Sequence, residues 1–218
     1  MEADCHDGWP DAVGPGGPGW RQRLSIEVSV ALEPTAAYRR LLADEGEAGW
    51  GLLQRIAIVL LIVAIVVPIM AVQRITLGLV ATAALSWSFA LVIQLAAGAA
   101  VILSAPGRRV SLRRALDLWW AGHLPYSAWL LLSALFLANS TSYASAFMVA
   151  SAIAPAAWTA AIVSAYCRTV LMTTEGGAQW RTAAHQAAVW ASGLTFVAWS
   201  TGGWFQIVRA VWNMSLTR

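Results

Sequence analysis

His123 and His185 sit in matching surroundings: each follows a stretch holding Trp and Arg and stands where a long uncharged run begins. With Asp117 nearby, two imidazoles and a carboxylate are a ligand set for a divalent metal, or groups that trade protons near neutral pH. The simpler reading is a pair of polar residues at a membrane boundary, because nothing in the spacing fixes a shared geometry. Asp4-Cys5-His6-Asp7 also strings ligand types together, but in a Gly- and Pro-rich stretch and without a metal-site spacing. The chain has no phosphate loop, nucleophile elbow or pair of carboxylates placed for acid–base work. No catalytic, cofactor-binding or metal-binding residue is therefore expected, and the chain does not read as an enzyme.

The elements that would carry these residues belong to a membrane. Of the 218 residues, 59% are hydrophobic and 11% charged, and the mean hydropathy is +0.63. A soluble domain is about 45–50% apolar and about 25% charged. All 14 cationic residues are Arg. The net charge of +3 reads as a topology signal rather than a nucleic-acid footprint, because there is no basic run. Cys5 and Cys167 give neither a disulfide framework nor a metal spacing.

Along the chain, 1–33 reads as a polar tail, disordered through 23 and without the apolar core of a cleavable signal peptide. Within it LSIEVSVAL alternates, which predicts a short strand. Pro34 suits a helix first turn, and Tyr38, Leu41 and Leu42 share one face opposite Arg39 and Arg40. The rest, 34–218, is one membrane domain. A helix needs roughly 20 apolar residues to cross a bilayer, which predicts five spans at about 51–72, 77–103, 124–138, 147–171 and 184–208. The third is the shortest. With the N-terminus inside, inner segments carry Arg21, Arg23, Arg39, Arg40, Arg55, Arg108, Arg109, Arg113, Arg114, Arg168 and Arg181. Outer segments carry Arg74, Arg209 and Arg218. That asymmetry predicts a cytoplasmic N-terminus and an outside C-terminus.

SLRRALDLWWAGHLP, which leads into the third span, sorts Leu112, Ala115, Leu116, Trp119 and Trp120 onto one helical face. Arg113, Arg114 and Asp117 take the other. Trp prefers the headgroup level and Arg reaches phosphates from the same depth. An in-plane helix on the cytoplasmic surface is expected, with Arg113, Arg114, Trp119 and Trp120 facing lipid or a protein partner. EGGAQWRTAAHQAAVW repeats the theme before the fifth span. In the fourth, Ala152, Ala156, Ala160 and Ser164 recur every fourth residue, a small-residue face for helix packing in the bundle or between copies.

These segments carry a resemblance. EPTAAYRRLL, SLRRALDLWWAGHLP and the weaker QWRTAAHQAAV, with five spans, resemble the Yip family of Ypt/Rab-interacting membrane proteins over about 34–212. The Asp-Leu-Tyr-Gly-Pro motif of the eukaryotic members is absent, so the resemblance is to the bacterial branch. It implies a non-enzymatic scaffold that organises a bacterial cytoplasmic membrane through its inner face, with lipids and a protein partner as ligands and no cofactor. The span cores lack charged residues where ion-coupled transporters carry them. A small channel or permease subunit, with a polar route past Ser86, Ser88 and Gln94, is the alternative. A membrane enzyme using His123 and His185 is the third reading.

Overall fold

The computed structural model describes residues 20–43, 51–106, 109–139 and 144–199. Asp4–Asp7 and Cys5 lie outside them, as does the end of the fifth predicted span. The described residues form eight helices and no strand: α1 (Trp20–Leu32), α2 (Pro34–Ala43), α3 (Gly51–Val72), α4 (Leu77–Leu103), α5 (Leu112–Trp120), α6 (Leu124–Asn139), α7 (Ala144–Thr169) and α8 (Glu175–Trp199).

Composition explains the long elements. α3, α4 and α7 each hold a stretch long and apolar enough to cross a membrane, at Gly51–Met70, Leu77–Leu103 and Val149–Thr169. Their outer faces expose Leu61, Leu85, Val92 and Ile153, a surface that suits hydrocarbon and not water. Thr76 caps α4 by accepting from Leu79 N–H, and Ser111 caps α5 by accepting from Arg114 N–H. These contacts satisfy backbone donors that helices leave open at their starts.

One expectation is corrected here. The LSIEVSVAL segment is helical, and the helix takes in Trp20–Leu32 of the expected tail. Glu27, Val30 and Ala31 are all buried, an i, i+3, i+4 face, so burial of that side outweighs the β-branched alternation. The third and fifth predicted spans form helices as α6 and α8. Neither joins the three that are apolar and long enough by themselves to cross, and α6 has only 16 residues.

The bundle packs α3 against α4 and α6, and α7 against α6 and α8, with α8 closing onto α4. The short helices α1, α2 and α5 gather at the end where α3 begins and α7 finishes, hereafter the α5 end. α5 does not lie across that end; it plugs it. The Tyr166 hydroxyl, in the last turn of α7, donates to the Ala115 carbonyl at 2.8 Å. On its other side the Trp119 ring lies flat against Gly98 of α4, where an added Cβ would come within 2.5 Å of the indole. The core has two aromatic layers. One, near the α5 end, is built on Tyr38, Trp119, Trp120 and Tyr166; the other, deeper, is built on Trp87, Tyr126, Trp129 and Trp190. Ala152 and Ala156 of the small-residue face join the deeper layer, while Ala160 and Ser164 are half-buried. That face therefore serves packing within the bundle.

Candidate functional site

Two features meet where α5 passes into α6. The first is a buried ion cluster. Arg55, one turn into α3, donates through Nε to Glu27 of α1 at 2.8 Å. Its Nη1 donates to the Asp117 carboxylate of α5 at 2.9 Å and to the Asp117 carbonyl at 3.3 Å. The side chains of Arg55 and Glu27 are each 10% exposed. Arg114 lies 3.9 Å from the other Asp117 oxygen and donates to the Leu41 carbonyl of α2 at 2.7 Å. Two cations thus face two anions, so the cluster has no net charge to desolvate beyond its members.

The second is a polar cavity of about 10 Å³ between the two aromatic layers, about the space of one water molecule. His123 and His185, Gln94, Tyr38, Trp119 and Thr159 line it. The chain breaks between α5 and α6 to make it. Gly122 and His123 donate their N–H groups back to the Trp119 and Trp120 carbonyls, both at 3.1 Å, and Ser127 N–H returns to the His123 carbonyl. The break leaves these backbone groups satisfied. Helix interruptions in a membrane are tolerated where they are buried in protein or line a cavity. Gly122 is required there: a Cβ would meet Ile162 at 2.5 Å and the Tyr38 hydroxyl at 2.9 Å.

His123 links the two features. Its ring stacks on Trp120 at 4.6 Å between centroids, and its Nδ1 lies 2.7 Å from the Trp120 carbonyl. A carbonyl only accepts, so Nδ1 carries the proton of the neutral ring and Nε2 is left as the acceptor. The Glu27 carboxylate stands 3.9 Å from the same Nδ1.

Of the residues singled out in the sequence, Arg113 is exposed and Arg114 half-buried. Trp119 and Trp120 do not face lipid: they are 5% and 0% exposed, inside the core. An amphipathic stripe is the same whether lipid or protein covers it, and here Gly98 and α7 cover it. His123 and His185 do share a cavity, but Asp117 does not line it and is held by Arg55. The donor set for a cation therefore has no carboxylate, and the described residues hold no cluster of three His, Cys, Asp or Glu side chains. Gln94 lines the cavity, whereas Ser86 and Ser88 bond back to their own helix at Thr82 and Leu85. Sequence reasoning missed Glu27 and Arg55 as partners. The signal was present: an Arg inside an apolar span calls for a carboxylate beside it.

The chain has no match among protein-family models and no significant match among curated proteins or solved structures.

Removing one partner from a buried ion pair leaves an uncompensated charge, at about 3–5 kcal/mol. Arg55→Met, which strands Glu27 and leaves Asp117 with Arg114 alone, is expected to lose about that much in denaturant titration in detergent. Glu27→Gln should lose less, because Asp117 keeps its partner. Equal stability of Arg55→Met and the unaltered chain would contradict the cluster.

Proposed function

We propose that the chain is a five-crossing membrane scaffold without enzymatic activity, which organises lipid at the α5 end of its bundle. The observation that carries this reading is the charge at that end. Among the described residues, Arg39, Arg40, Arg109, Arg113 and Arg168 are exposed there, against Glu33 and Glu175. One of these arginines, Arg40, is paired with Glu33 at 3.1 Å in an open position, where a pair adds little. Trp180 is half-exposed beside them, with the Arg181 guanidinium 4.6 Å from its ring, an arrangement suited to the headgroup level. The tryptophans of α5 have no part in this surface; Arg113 does.

Five crossings are supported by packing. α6 lies between α3 and α7, and α8 lies between α4 and α7, so both are neighbours of the apolar helices. At 16 residues α6 is about 24 Å long, somewhat short of the roughly 30 Å hydrocarbon core. α5, seated among the ends of its neighbours, supplies the remaining depth. The arginine asymmetry supports a cytoplasmic α5 end. The resemblance to the bacterial branch of the Yip family agrees with this reading, and a protein partner on the same face would extend it. A small channel or permease subunit is the alternative, to which the Gln94 cavity lends support. Saturable solute flux in proteoliposomes, lost on Gln94→Leu, would favour it over the scaffold.

A reporter active only outside the membrane is expected to work when fused after Arg218 and to fail when inserted at 105–110. Activity at 105–110 would refute the orientation.

The lipid reading is tested on the purified protein by native mass spectrometry with graded phosphatidylglycerol. Arg113→Gln and Arg168→Gln are each expected to lower the affinity for anionic lipid about fivefold, from about 1 kcal/mol per arginine. Unchanged binding in the double variant would overturn it.

A further inference from the structure

The cavity between the aromatic layers is lined by polar atoms that no protein group answers. His185 is 4% exposed, and neither of its ring nitrogens has a hydrogen-bond partner among the described residues. The same holds for Gln94 Oε1, the Tyr38 hydroxyl and Trp119 Nε1. Gln94 and Tyr38 are 3% and 0% exposed. A buried polar group left unanswered costs about 1–3 kcal/mol, so four such residues around one small space point to a ligand.

The groups define its chemistry. Gln94 Oε1, His123 Nε2 and the bare nitrogen of His185 accept hydrogen bonds. Trp119 Nε1 and the protonated nitrogen of His185 donate, and the Tyr38 hydroxyl does either. The ligand must therefore donate and accept at once. No carboxylate lines the space, which disfavours a metal dication in so dry a place. A cavity of about 10 Å³ admits about one water molecule. Water matches in size and in bonding.

We propose that this cavity binds water and that the water joins His185 to His123, so that the two imidazoles and Glu27 behind them act as one proton-accepting site inside the bundle. Gln94 comes from α4, and every other packed element brings a titratable or charged group. α1 contributes Glu27, α2 Tyr38, α3 Arg55, α5 Arg114 and Asp117, α6 Tyr126, α7 Tyr166 and α8 His185. Arg55 and Arg114 are matched by Asp117 and Glu27, and Glu27 is the anion placed 3.9 Å from His123. A proton arriving from the aqueous phase forms one N–H bond, at a ring nitrogen. Its charge is balanced by Glu27, which His123 then shares with Arg55. Uptake at the histidines is thereby linked to the tie that holds α1 to α3. This inference is independent of the scaffold reading, since it concerns the interior and not the arginine surface.

The test uses the full chain, ¹⁵N-histidine labelled, in lipid bilayers. Solid-state NMR is expected to show transfer from water protons to the ring nitrogens of both His123 and His185. In parallel, Trp emission is followed from pH 8 to pH 4, because a charged His123 quenches the stacked Trp120. His185→Leu is expected to move the quenching midpoint by about one pH unit or more, the size that marks interacting sites. Gln94→Leu, which keeps both histidines but removes an acceptor for the water, should give a smaller shift in the same direction. His185→Leu is also expected to be no more stable than the unaltered chain, since it breaks a satisfied network. Absent water transfer to His185, an unmoved midpoint in both variants, or a clear gain in stability in His185→Leu would each overturn the proposal. The last would mean that the cavity is dry and its polar groups unpaired.

Discussion

Arg55 is the constraint from which the rest of this end of the molecule follows. A guanidinium one turn inside an apolar helix is costly unless it is paired and hydrogen-bonded. It is answered from two directions, by Glu27 of α1 and Asp117 of α5. The first contact draws an N-terminal segment onto the bundle. The second pulls α5 inward, off the surface that its amphipathic stripe suits. With Asp117 fixed, the next turn carries Trp119 onto Gly98 and Trp120 into the core. The chain has then descended far enough for α6 to begin inside the bundle. The break at Gly122–His123 and the polar cavity are the geometric result.

Polar groups in this interior gather at the seam between the two aromatic layers, beside the Arg55 cluster. On one side, Tyr38 meets Tyr166 edge to face at 5.4 Å; on the other, Trp129 meets Trp190 at 4.8 Å. Between them Thr159 accepts from Trp190 Nε1 at 3.3 Å and bonds Gln186 at 3.3 Å. Rigid aromatic walls and a helix break together hold a polar site at fixed shape. Arg181 secures its floor by donating through Nε to Ser104 Oγ at 2.9 Å, which ties α8 to the end of α4.

Much of this architecture was legible in the sequence, and the failures have physical causes. Long apolar runs gave α3, α4 and α7 because length and hydropathy decide what crosses a membrane. Pro34 and the Tyr38 face gave α2, which begins at that proline and buries that tyrosine. Alternation misled at Ile26–Val30, since the period-2 pattern says nothing about Glu27, whose burial against Arg55 selects the helix. The two tryptophans misled because partition to an interface and packing in a core select the same residues. His123 and His185 were read from their matching positions, and their convergence on one cavity needed the fold. Nothing local to Gly98 marks it as the bed of an indole fifteen or more residues away in the chain, and such close approaches are invisible without the partner.

The seat of α5 has a bearing on biosynthesis. Trp119 rests on Gly98 from α4 and stands edge to face with His185 from α8 at 5.4 Å. The first of these is made before the plug and the second well after it. At about 5–20 residues per second, α5 emerges on the order of seconds before its last wall exists. In that interval the indoles of α5 have no complete pocket, and the seat of α5 is finished only when α8 has joined the bundle.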